Sequence, residues 1–179
     1  RAESTYDRAF YGGMGVLLAA LTLVGFGPTF YFRWWFGPTT TVTGVTALSP
    51  FTYFHGALFT AWVALFIVQT SLIAARRVAV HRKLGVAGAV LAAAMVIVGL
   101  ITAFGAARRG AAPPGIDALT FLVVPVFDMI LFASFVTAAV LRRRDKEAHK
   151  RLMLLGYLSI IPASTARLPG LLPYGPLLF

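Results

Sequence analysis

The sequence predicts an all-α, polytopic membrane helix bundle of five spans. Three observations carry that prediction. Five apolar stretches are each long enough to cross a bilayer, whose hydrocarbon core of about 30 Å takes roughly 20 helical residues. The short segments between them hold nearly all of the 16 Lys and Arg residues. The 179 residues are 59% hydrophobic, with a mean hydropathy of +0.81, which leaves little polar material for a separate soluble domain. In lipid the backbone must satisfy its own hydrogen bonds, so only helices or closed barrels can span. Barrel strands alternate apolar and polar residues. Runs such as LLAALTLVGF and AGAVLAAAMVIVGL do not alternate.

The spans are expected at 9–32, 51–75, 84–106, 116–141 and 152–172, in a single membrane domain. The first carries Gly12, Gly13, Gly15, Gly25 and Gly27, which let another helix approach closely. Pro28 is expected to kink or end it. The cluster from Tyr31 to Phe36, with Trp34 and Trp35, marks a headgroup-level anchor. The Thr-, Gly- and Pro-rich stretch 37–50 then reads as an exposed outer loop. ARRVAVHRK makes a tight inner turn between spans two and three, and ARRGAAPPGID an outer loop stiffened by Pro113 and Pro114. Asp117 is placed at the start of span four, favourable for an anion at a helix N-terminus. RRRDKEAHKR leads into a last span interrupted by Pro162, Pro169 and Pro173. The two central hairpins read as weak copies: FHGALFTAW resembles FDMILFASF, and His81-Arg82-Lys83-Leu84 resembles His149-Lys150-Arg151-Leu152. Such copies would form a parallel repeat about an axis along the membrane normal.

The formal charge of +10 does not indicate nucleic acid, because the cations sit beside membrane spans. Arg1, Arg8, Arg76, Arg77, Arg82, Lys83, Arg142, Arg143, Arg144, Lys146, Lys150 and Arg151 fall at one end of the bundle. Arg33, Arg108, Arg109 and Arg167 fall at the other. The positive-inside rule then orients the chain N-in, C-out. The basic end is expected to attract anionic lipid headgroups. With no cysteine, the chain offers no thiolate metal site and holds no iron–sulfur cluster by itself. No cleavable signal peptide is expected.

Three histidines and two further charged residues are the candidates for chemistry. His81 and His149 each begin a span at the inner face, and each has a glycine seven residues on, Gly88 and Gly156. Two helical turns put each glycine on the same face as its histidine. An axial nitrogen above a small-residue groove is what a flat macrocycle needs; an interfacial, hydrated histidine is the other account. His55 lies a turn into span two from the outer side, on a face with Leu58, Phe59 and Trp62. It suits either a ring-shaped ligand or a hydrogen bond to a neighbouring helix. Asp128 lies mid-span in VPVFDMILF, where a carboxylate must pair, face water or stay protonated. His55 is its expected partner, with Arg167 a second candidate from the outer side. One metal cannot take all three histidines, since about 20 residues, or roughly 30 Å of helix, separate His55 from the inner end of its span. No zinc spacing, phosphate-binding glycine loop or catalytic triad appears, so neither a metal site nor catalytic residues are expected.

Gln69, Ser71-Leu72-Ile73, Arg77 and His81-Arg82-Lys83-Leu84-Gly85 together resemble a set of uncharacterised bacterial multi-pass membrane proteins, a domain of unknown function. Those carry a Gln, an Arg and a His-Arg-x-x-Gly signature across such a hairpin. His149-Lys150-Arg151-Leu152-Met153 with Arg167 is similar to their second block, so the resemblance covers spans two to five. It implies a bacterial inner-membrane location, and because that family has no agreed activity, little function carries over. A more distant likeness is to transmembrane cytochromes b, which use four axial histidines for two haems. With three histidines this chain could supply at most one haem. Two functions are expected. One is a non-catalytic accessory subunit packed against other subunits of an energy-converting membrane complex, or against copies of itself. The other is a membrane redox protein binding one haem b, a quinone or a pigment through His81 with His149, or through His55. A small oligomeric transporter using Asp128 is the third.

Overall fold

The computed structural model describes residues 5–168. Arg1, Pro169, Pro173 and the end of the expected fifth span lie outside the described residues. The described chain is helical: α1 (Thr5–Phe26), a π-helical turn (Gly27–Tyr31), α2 (Arg33–Phe36), α3 (Pro50–Ala74), α4 (Val78–Arg108), α5 (Ala118–Leu141), α6 (Lys146–Leu158) and α7 (Pro162–Thr165). Four helical segments are long and apolar enough to cross a membrane: Tyr6–Tyr31, Pro50–Ala74, Val78–Arg108 and Ala118–Leu141. They mark a membrane protein. The fifth segment differs from a single span. Its helix starts at Lys146 and runs 13 residues, about 20 Å, before turning at Ser159 and restarting for one turn at Pro162. Pro162 has no N–H to donate to Leu158, so the helix cannot run through it.

Each boundary has a local cause. Pro28 likewise cannot donate back to Val24. The chain does not stop there, as it would at a simple kink. It widens into a π turn, closed by the Phe32 N–H donating to the Gly27 carbonyl at 2.7 Å. Ser49 caps α3 by accepting from the Thr52 N–H at 3.2 Å, with Pro50 in the first turn. Asp117 caps α5, and one carboxylate oxygen accepts from the N–H groups of Leu119 and Thr120, each at 3.0 Å. Asp145 caps α6 in the same way through Glu147 and Ala148. The three-residue turn from α3 to α4 closes with the Arg77 N–H on the Leu72 carbonyl (2.8 Å) and the Arg76 N–H on the Ile73 carbonyl (3.0 Å). That is the Schellman pattern, with Arg76 at the left-handed position, φ 59°.

Met95, Phe132 and Tyr157 are fully buried at the centre. Trp62 meets Phe132 edge-on at 5.1 Å between ring centroids, and Phe66 meets Tyr157 at 4.9 Å. The α6–α7 segment runs alongside α1: Lys150 pairs with Asp7 at 2.9 Å near one end, and the Ser164 backbone fills the space above Gly25 near the other. A side chain at Gly25 would collide with the Ser164 carbonyl, so this glycine sets the approach of α7. In each hairpin the glycine seven residues after the histidine packs on the preceding helix, Gly88 on Leu65 and Gly156 on Val136. Outward, α4 shows the stripe Val86, Val90, Ile97, Ile101 and Phe104. Such a face is costly in water and costs nothing against acyl chains.

Candidate functional site

The succession of antiparallel helices gathers the basic connectors at one end of the bundle, and α4 and α6 each enter from that end. His81 therefore lies one turn into α4 and His149 one turn into α6. Their rings come within 6.3 Å, centroid to centroid, with planes at 87°. The His149 Nδ1 lies 2.9 Å from the Ala139 carbonyl at the end of α5. A carbonyl only accepts, so Nδ1 carries a proton and donates it to Ala139. This is the arrangement that orients a metal-binding imidazole. The His81 Nδ1 is buried with no hydrogen-bond partner. Gln69, on α3, donates from Nε2 to the His81 carbonyl at 3.2 Å, while its Oε1 is buried and unpartnered. Four helices thus converge on one polar junction that still holds unused hydrogen-bonding and ligand capacity.

The open groove expected over Gly88 and Gly156 is not present. A Cβ at Gly88 would lie 3.1 Å from the Leu65 Cδ2, and one at Gly156 would lie 3.0 Å from the Val136 Cγ2. Both grooves are filled, over Gly88 by the Leu65 side chain and over Gly156 by Val136, whose backbone nitrogen also lies close, with Phe135 beside it.

The other candidates lie apart from this junction. His55 stacks on Phe59 at 4.3 Å, and its Nδ1 sits 3.2 Å from the Thr102 hydroxyl. That hydroxyl donates to the Val98 carbonyl at 2.7 Å, so His55 is the donor to it. The hydrogen bond to a neighbouring helix is therefore formed. The expected partnership with Asp128 is not: among the described residues no hydrogen bond or ion pair joins Asp128 to His55 or to Arg167. His55 turns toward α4, where it meets Thr102, while Asp128 is half-buried on α5 between exposed Phe127 and buried Met129. Arg167 donates to the Ala163 carbonyl and lies over the Phe26 ring at 4.5 Å. Among the described residues no group of three or more His, Cys, Asp or Glu could hold a metal ion.

Thr102, Ala139 and Ser164 were not singled out from the sequence. Their roles depend on how neighbouring helices are rotated about their axes, and no local motif encodes that. Gln69 entered only through the family signature. Comparison of the chain with protein-family models, with curated proteins and with solved structures finds no match.

Proposed function

We propose that this chain is a bacterial inner-membrane redox protein that holds one haem b between His81 and His149. The observation that carries the reading is the separation of the two rings. The rings stand 6.3 Å apart, the His149 ring is oriented by the Ala139 carbonyl, and the His81 Nδ1 is buried without a partner, so these two imidazoles would be the residues to hold the group. The surrounding charge supports the same choice. Arg82, Lys83 and Arg142 lie at this end and disfavour a bare dication, whereas they suit the two propionates of a haem. Entry of the macrocycle would require at least the Leu65 and Val136 side chains, which pack on Gly88 and Gly156, to move away. When bound, the group would supply one-electron chemistry. His149 would be oriented by Ala139, and His81 would use the nitrogen that now lacks a partner.

Absorption spectra of protein purified in detergent from haem-supplemented cells test this. A Soret band that shifts on reduction is expected. It should vanish in His81→Ala and in His149→Ala and persist in His55→Ala. A colourless wild-type protein from such cells would overturn it.

A second reading is an accessory subunit within a larger membrane complex. It is supported by the N-terminal half of α1, where a side chain at Gly12 or Gly13 would meet nothing within 4 Å. That open face is suited to another transmembrane helix. Under this reading the preparation is colourless, co-purifies with larger membrane proteins, and tolerates both histidine substitutions.

A further inference from the structure

The opposite end of the bundle holds a mostly apolar cavity with one charged side chain, Arg167, in its lining. This cavity of about 230 Å³ opens between the π turn, the strap at residues 39–42 and Arg167. It has room for about seven water molecules. The chamber is constructed rather than left over. The Thr39 hydroxyl donates to the Pro28 carbonyl at 2.8 Å. Arg33 donates to the Thr39 carbonyl at 3.1 Å and, through its other terminal nitrogen, to the Thr46 carbonyl. These bonds hold the strap over the π turn. They also explain the turn itself: Pro28 widens the helix there, and its carbonyl becomes an anchor for the strap.

Arg167 enters the chamber from the end of α7. One guanidinium nitrogen is used on the Ala163 carbonyl, and the planar face rests on Phe26. A guanidinium has five N–H donors and no acceptor. Among the described residues the ion pairs belong to Lys150 and Arg151, and none reaches Arg167. Among the described residues nothing compensates this positive charge, and the guanidinium keeps spare donors. Thr29 and Thr40, which also line it, carry hydroxyls that can donate. Trp34 and Trp35 follow closely in the chain and are 78% and 74% exposed. Indoles in that setting lie at headgroup depth, where phosphate esters are concentrated.

We propose that this chamber is an oxyanion site for phosphate or a phosphate ester, with Arg167 as the anchor and the Thr40 hydroxyl as an added donor. A lipid headgroup and a free phosphate present the same chemistry to it. A guanidinium fork bonds two phosphate oxygens at once, which a lysine cannot do.

The test uses the full chain in neutral detergent and in phosphatidylcholine nanodiscs with and without phosphatidylglycerol. Thermal unfolding is followed against inorganic phosphate, with chloride and sulfate-free buffer as the control. Lipid retention is read by native mass spectrometry. Stabilisation by inorganic phosphate identifies a free anion. Selective retention of phosphatidylglycerol without a phosphate response identifies a headgroup. Arg167→Gln should weaken whichever is found by about tenfold or more, and Thr40→Val by about threefold. Arg167→Lys should recover only part of the loss. The proposal is overturned if wild-type protein responds in neither arm, or if Arg167→Gln and wild type respond alike. Should Arg167→Gln fail to fold, an unaltered response in Thr40→Val and Arg167→Lys together would overturn it. None of these readouts involves colour, so they stand apart from the haem test.

Discussion

Lys150 and Arg167 show two ways of keeping a cation against a helix bundle. Lys150 is compensated by carboxylates, Asp7 at 2.9 Å and Glu147 at 2.7 Å, and so ties α6 to α1. Arg167 is held by a carbonyl and a ring, neither of which cancels its charge. Asp117 shows the corresponding logic for an anion. The backbone N–H of Thr120 holds its carboxyl below the ordinary 3.8, against an opposing desolvation, and the Leu119 N–H, the Thr120 hydroxyl and the Ala118 N–H add to the lowering. A carboxyl depressed by folding stabilises the fold above its unfolded pKa, and that contribution is lost as pH falls through the folded value. Wild-type protein should therefore unfold at a higher Tm than Asp117→Asn near neutral pH, and the gap should close in acid below about pH 4. Asparagine keeps a capping oxygen, so the comparison isolates the charge. A gap that stays constant from pH 3 to pH 6, measured in a pH-insensitive detergent, would show that ionisation at this cap contributes nothing. This cap could be read from the sequence, because Asp117 directly precedes an apolar run and capping is local. The neighbourhood of His55 could not. Its hydrogen bond reaches Thr102 on another helix, and sequence similarity between hairpins paired it with Asp128 instead.

At the scale of elements, the long apolar helices were legible to within a few residues, and the departures share a cause. Hydropathy marks where a helix can lie in lipid, while backbone donors decide where it starts and breaks. Thus α4 begins at Val78 rather than at residue 84, taking in His81, Arg82 and Lys83, because basic side chains cost little at the membrane surface and nothing stops the helix before the turn. The π turn at Gly27–Tyr31 and the break before Pro162 both follow from a missing proline N–H. Only the identity of each distortion was hidden, since a kink, a stop and a π turn all satisfy that loss. The α3–α4 turn carries a further tension. Arg76 occupies a left-handed position that glycine fills without strain, at a cost to other residues of about 1 kcal/mol. Arg76 is exposed. Arg76→Gly should therefore raise stability by about that amount, seen as a higher midpoint in thermal unfolding in detergent. A lower midpoint would mean that the Arg76 side chain makes a contact worth more than the strain.

At the scale of the molecule, burial and charge are arranged along one axis. The buried core combines aromatic and sulfur-containing side chains with aliphatic ones between the helices, and the outward faces are apolar. One end carries the basic connectors and the histidine pair; the other carries the Trp cluster, the strap and four arginines, Arg33, Arg108, Arg109 and Arg167. The helix succession requires the turn at residues 75–77 and the turn at residues 142–145 to share a side, with the strap and the α4–α5 loop opposite them. The lysine and arginine bias leads us to propose that the histidine end faces the cytoplasm. The chain has no cysteine, so single-cysteine variants report on one position each without background. Arg77→Cys and Lys146→Cys should both resist a membrane-impermeant maleimide in intact cells and react after lysis. Thr43→Cys and Ala112→Cys should react in intact cells. If Arg77→Cys and Lys146→Cys label from different sides, α4 and α5 do not form the antiparallel pair described, and His81 and His149 could not meet. If all four swap sides together, the bundle stands but the haem reading moves to the outer leaflet, because the histidine pair travels with its basic end.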